Sequence, residues 1–145
     1  MSIKDKSIIW IERGDIIEKV IVDILKRYAE IDLVYIFGSY LTENYNAESD
    51  IDIAVYTSDR IEREVFYKMK IELIEKTERE IDLIDLRESN PTLNKEILFK
   101  GKNIYKRSEI VKLEFEYIKI SELTQYSDDI QIIVDKIKER GYIYD

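Results

Sequence analysis

The chain has no cysteine and no histidine among its 145 residues. The first absence removes disulfides, zinc–thiolate sites and thiol nucleophiles together. The second excludes a Ser-His-Asp triad, imidazole general bases and histidine-ligated metals. Chemistry, if there is any, must run on carboxylates, hydroxyls, lysines, arginines or a bound ion. Proline (1) and glycine (4) are scarce, so regular structure is expected nearly throughout. No run approaches the roughly 20 apolar residues that cross a bilayer. Ile8-Ile9-Trp10-Ile11 is too short for a signal-peptide core, and no small-residue cleavage site follows it. The expectation is an intracellular, cytoplasmic protein without membrane attachment.

Basic residues are outnumbered, 23 against 31, for a net charge of −8. That balance argues against charge-driven binding to nucleic acid, which needs a basic footprint. It leaves room for a nucleotide held through divalent ions, which reverse the local charge logic. With 45% hydrophobic residues, the length fits one compact domain.

Residues 1–12 read as a short lead-in. Between about Asp15 and Ala29, Ile16, Ile17, Val20, Ile21, Ile24 and Leu25 recur at helical spacing. Asp32-Leu33-Val34-Tyr35-Ile36-Phe37 is a β-rich run that ends at Gly38-Ser39, and residues 51–56 read as a second strand. A helix is predicted from about Asp59 to Glu78, with Ile61, Val65, Met69 and Leu73 on one face. A third strand follows over residues 81–86. Asn90-Pro91 starts another helix, which runs to Lys100 and stops at Gly101, read as a left-handed cap. Asn103-Ile104-Tyr105 reads as a last short strand, and about Ser108 to Arg140 is helical in pattern, with an interruption near Ser127-Asp128. The order predicts an α/β (α+β) domain, helices packed on a small mixed sheet. Residues 1–107 form its core, and 108–145 a C-terminal helical extension of the same domain.

The chemistry concentrates in Gly38-Ser39, ten intervening residues, then Asp50-Ile51-Asp52. Asp50 and Asp52 are two apart on a predicted strand, so their side chains share a face. Such a pair repels unless a cation sits between the carboxylates, and hard oxygen ligands suit Mg²⁺, which takes one or two carboxylates plus substrate phosphates. Gly38 lets the backbone pass close to a phosphate, and Ser39 adds a hydroxyl and an N–H at what reads as a helix start. The bland alternative is a Gly-Ser turn followed by two solvent-facing aspartates on an acidic surface.

Phe37-Gly38-Ser39 through Ser49-Asp50-Ile51-Asp52-Ile53-Ala54-Val55 resembles the signature of the nucleotidyltransferase superfamily that includes DNA polymerase β. Within it the chain resembles the minimal nucleotidyltransferases, specifically MntA-type antitoxins. The likeness extends to Glu80-Ile81-Asp82-Leu83-Ile84-Asp85-Leu86 and to Asn90-Pro91 through Gly101-Lys102-Asn103-Ile104-Tyr105, covering roughly residues 15–107. The resemblance implies a third carboxylate on a neighbouring strand. Asp82 is the choice; Asp85, three positions on, faces the other side of a regular strand. Relatives commonly carry a small residue and often an arginine after Gly-Ser, where Tyr40-Leu41-Thr42-Glu43 stand here. Lys95 and Arg107 could supply phosphate contacts, but a residue of either kind is more often a solvated surface charge, and that reading is preferred.

The resemblance further implies transfer of AMP from ATP, with two Mg²⁺ held by Asp50, Asp52 and Asp82. Gly38 and Ser39 bind the nucleotide, and Asp82 is best placed to help deprotonate the acceptor. The acceptor it implies is a tyrosine on a cognate HepT-type RNase of the HEPN class, silenced as the toxin of a type VII toxin–antitoxin pair. Two other readings are a catalytically idle antitoxin that acts by contact alone, and transfer to an aminoglycoside-like small molecule. The stripe Ile130, Ile133, Val134 and Ile137, with Tyr142 and Tyr144, reads either as a docking or self-association face in a homo- or hetero-oligomer, or as a helix packed on its own sheet.

Overall fold

The computed structural model describes residues 6–42 and 49–123, together with Asp135 and Glu139. Four strands form one mixed sheet in the order β3-β2-β1-β4. They are β1 (Leu33–Phe37), β2 (Ile51–Tyr56), β3 (Ile81–Asp85) and β4 (Lys102–Lys106). Strand β1 pairs antiparallel with both β2 and β4, while β2 and β3 run parallel. A parallel pair needs a crossover, and helix α2 (Arg63–Thr77) supplies it. Three further helices among the described residues are α1 (Lys6–Tyr28), α3 (Pro91–Lys100) and α4 (Glu109–Leu123). The expected small mixed sheet with packed helices is the fold found.

Strand alternation divides the core into two. Val34, Ile36, Ile51, Ile53, Val55, Ile81 and Leu83 point to one face, where Ile21, Ile24 and Leu25 of α1 and Met69 and Leu73 of α2 cover them. Leu33, Tyr35, Phe37 and Ala54 point to the other, beneath Ile97 of α3 and Phe115 of α4. Strand β1 is buried on both faces from Leu33 to Phe37, as a central strand sandwiched between helices must be.

Several boundaries differ from expectation for physical reasons. Helix α1 begins at Lys6, so most of the supposed lead-in is helical. Gly14 lies in its interior, where it lowers helix propensity by about 1 kcal/mol but does not stop the helix. Helix α2 begins only at Arg63; Ile61 is buried although it precedes the helix, and the Thr57 hydroxyl donates to the Asp59 carbonyl (2.6 Å) in the turn before it. Asn90 caps α3 as expected, its Oδ1 accepting the Leu93 N–H at 2.8 Å. Gly101 is not left-handed: its φ is −74°. Glycine is needed there for closeness, because a Cβ would lie 2.4 Å from the Ile97 carbonyl oxygen. Glu43, the Ser127-Asp128 interruption, the stripe Ile130–Ile137, Tyr142 and Tyr144 lie outside the described residues.

At one end of the sheet the chain is tied by a buried acid. Asp32 is 4% exposed and accepts from Arg107 Nε (2.8 Å) and the Ser58 hydroxyl. Its backbone also bonds Tyr56 and Arg107. Arg107 is thus engaged in holding strand ends together, far along β1 from Gly38.

Candidate active site

Gly38 follows directly on the C-terminal end of β1, and Asp52 sits near the start of β2 opposite Phe37. Residues Gly38–Leu41 make one short 3₁₀ turn, closed by Thr42 donating its N–H and hydroxyl to the Ser39 carbonyl (3.0 and 2.8 Å). The helix start expected at Ser39 is therefore a single tight turn, and Ser39 is exposed on it. Gly38 has φ +76°, a conformation that L side chains rarely adopt. A Cβ there would fall 2.0 Å from Asp52 Oδ2. The space that the missing side chain leaves is taken by the Asp52 carboxylate, so the glycine serves the acid across the strand pair.

Asp52 also stands in register with Asp82 of β3. Paired residues of adjacent strands share a face, so Asp52 and Asp82 belong to the face covered by α3 and α4; Asp50 stands immediately before β2, where its charge acts on Asp52. Asp50 and Asp82 are exposed; Asp52 is partly buried. Burial, and after it the negative charges of Asp82, Asp50 and Glu96, push the Asp52 carboxyl above its ordinary range. Glu96, on α3, is an acid that sequence reasoning missed. No local motif marks it, and its charge reaches Asp52 only because α3 packs on the same face of the sheet.

Asp85 pairs with Val55 and so belongs to the opposite face. Its Oδ1 accepts the Arg87 N–H at 2.9 Å, closing the turn after β3. Lys95 is a neighbour of the Phe99 ring, 5.8 Å from its centroid.

The crowding of like charge on Asp52 is what a divalent cation relieves. The donors are hard carboxylate oxygens, the kind such ions prefer. Among the described residues no three acidic side chains converge closely enough to ligate an ion as they lie. The acids fit such an ion by their chemistry, and Asp52 and Asp82 also by their shared face.

Comparison with known proteins identifies the family and the fold. Residues 19–110 match the family "Polymerase beta, Nucleotidyltransferase". The chain is 28% identical over 108 residues to the protein adenylyltransferase MntA of Shewanella oneidensis, covering 74% of this chain and 77% of that one. Its fold is similar to a solved structure of the tri-AMPylated HEPN toxin of Shewanella oneidensis in complex with MNT antitoxin. There the TM-score is 0.67 at 25% identity, over 86% of this chain and 98% of the other. A toxin–antitoxin structure with AMP-PNP matches with a TM-score of 0.69 at 27% identity, over 83% and 98% of the two chains.

Proposed function

From the premise that the chain belongs to the polymerase β nucleotidyltransferase family, we propose that it is a Mg²⁺-dependent protein adenylyltransferase and the antitoxin of a cytoplasmic toxin–antitoxin pair. It moves AMP from ATP to a tyrosine of a HEPN-class toxin. The observation that carries this reading is the register of Asp52 with Asp82 on one sheet face, Asp52 against Gly38, with Asp50 directly before the strand. Similarity to MntA, to a complex holding an AMPylated HEPN toxin, and to a structure with AMP-PNP supports the substrate and partner.

Asp50, Asp52 and Asp82 would hold the magnesium, which when bound neutralises charge on the triphosphate. The rest follows from the chain's own residues. Asp52, held above its ordinary range by burial and then by the charges around it, gains from a cation beside it. Gly38 keeps the space in which its carboxylate lies. The 3₁₀ turn presents Ser39, whose hydroxyl and N–H are offered to phosphate oxygens. Asp82 is exposed and takes the proton from the acceptor phenol. The phenol oxygen bonds to the α-phosphorus, the α–β anhydride bond breaks, and pyrophosphate leaves. Catalysis is positioning and electrostatics, with no covalent intermediate on the protein.

The test is incubation with Mg²⁺-ATP and the protein encoded beside it, read by intact mass. One or more AMP increments on that partner are expected, and none with Asp50→Ala/Asp52→Ala. An unmodified partner that both forms silence equally well would overturn the enzymatic reading in favour of neutralisation by contact alone.

A further inference from the structure

Arg79 is 9% exposed. A guanidinium does not shed its charge, so its burial is costly unless its donors are met. The local chain is arranged to bury it. Helix α2 ends in Glu78 at φ +57°, the one non-glycine residue with positive φ among the described residues. After that reversal the Arg79 N–H donates to Thr77 Oγ1 (3.3 Å), and Nη1 reaches the Ser49 carbonyl (3.4 Å). The next residue, Glu80, accepts the Ile51 N–H through its carbonyl at 2.9 Å. Two successive residues of the α2–β3 connection therefore grip Ser49 and Ile51, the residues on either side of Asp50. Asp82 follows two residues after Glu80, on the same stretch of chain.

We infer that Arg79 is a positioning residue: by fixing the backbone before Asp50, it sets that carboxylate on the face shared by Asp52 and Asp82. The inference rests on the reading of Asp50 as a metal-holding acid. Arginine suits the place because its long planar fork reaches a carbonyl from a buried position, and lysine matches the charge without the fork. A residue that orients a metal-holding group in this way typically changes metal affinity by about 10- to 100-fold when removed.

The experiment measures Mn²⁺ binding to the full chain by electron paramagnetic resonance, together with thermal melting. Arg79→Met is expected to melt close to wild type and to bind Mn²⁺ about tenfold more weakly. Arg79→Lys should recover part of the loss. Because Arg79 acts through Asp50, the double variant Asp50→Asn/Arg79→Met should bind no more weakly than Asp50→Asn alone. Full affinity in folded Arg79→Met, or losses that add in the double variant, would overturn the inference. If Arg79→Met does not fold, Arg79→Lys carries the same comparison. Should wild type bind no Mn²⁺, the metal reading fails by itself, and amide hydrogen exchange at Asp50 and Ile51 decides the matter. Faster exchange in the Arg79 variant upholds the grip, and unchanged rates overturn it.

Discussion

Gly38→Ala separates two demands that converge on one residue. The first is backbone: at φ +76° a side chain costs about 1–2 kcal/mol. The second is space, since the new Cβ would fall 2.0 Å from Asp52 Oδ2 and 3.1 Å from its Cγ. That leaves the methyl roughly 1.5 Å short of a van der Waals contact. The carboxylate must swing aside, at an off-rotamer cost of about 0.5–1.5 kcal/mol. Together the substitution should destabilise the fold by roughly 2–3 kcal/mol, a fall in Tm on the order of 5–10 °C. Repeating it in an Asp52→Ala background removes the collision and keeps the backbone term. A double-mutant cycle by thermal or urea unfolding should therefore show a coupling of about 0.5–1.5 kcal/mol. Transfer of AMP should drop on the order of 100-fold even in the folded fraction, because a displacement of about 1 Å at a reacting site is enough for that. Equal cost in both backgrounds would refute the claim that Gly38 exists to admit the Asp52 carboxylate.

Other outcomes follow from the same structure. The raised pKa of Asp52 means that the folded state holds its proton more tightly than the unfolded one. Its penalty is absent below the ordinary value of 3.8, grows as pH rises through the raised folded value, and persists at neutrality. Asp52→Asn should thus raise the Tm of the metal-free protein at pH 7, leave it unchanged near pH 3, and abolish transfer. A melting series across that range checks the sign. Asp32→Ala leaves Arg107 Nε and the Ser58 hydroxyl without their buried acceptor; denaturant titration should show a loss of about 2–3 kcal/mol, moderated because Arg107 is half exposed. Nucleotide chemistry per folded molecule should survive, since that knot lies at the opposite end of β1. Asn90→Ala removes the cap on Leu93 and should cost about 1 kcal/mol by the same titration.

Asp52 was legible because strand alternation sets it on the face of Ala54, and the Gly38-Ser39 turn marks the end of the strand before it; Asp50 turned out to lie just ahead of β2. Asp82 was within reach only by resemblance. Nothing in its neighbourhood says that β3 lies parallel to β2 in the register Asp52 to Asp82; the α2 crossover decides that. Arg79 and Glu96 carried no local sign. Each acquires meaning from a long-range placement, Arg79 against Ser49 thirty residues earlier and Glu96 from a helix laid over the sheet. Gly101 was misread because a glycine after a helix suggests an αL cap, whereas here the approach to the Ile97 carbonyl demands it. The early start of α1 was missed because periodicity weakens around Gly14 although the helix runs through it.

Strand β3 is the outermost strand of the sheet on its side, and it carries Asp82. An acid on a rim can be approached sideways, by a surface as broad as another folded domain, with no need to thread a substrate down a channel. If Asp82 takes the proton as proposed, an enzyme that marks one side chain on a whole protein profits from having that acid on such a border. Asp82 is exposed there, so the strand order itself does not turn a bulky acceptor away.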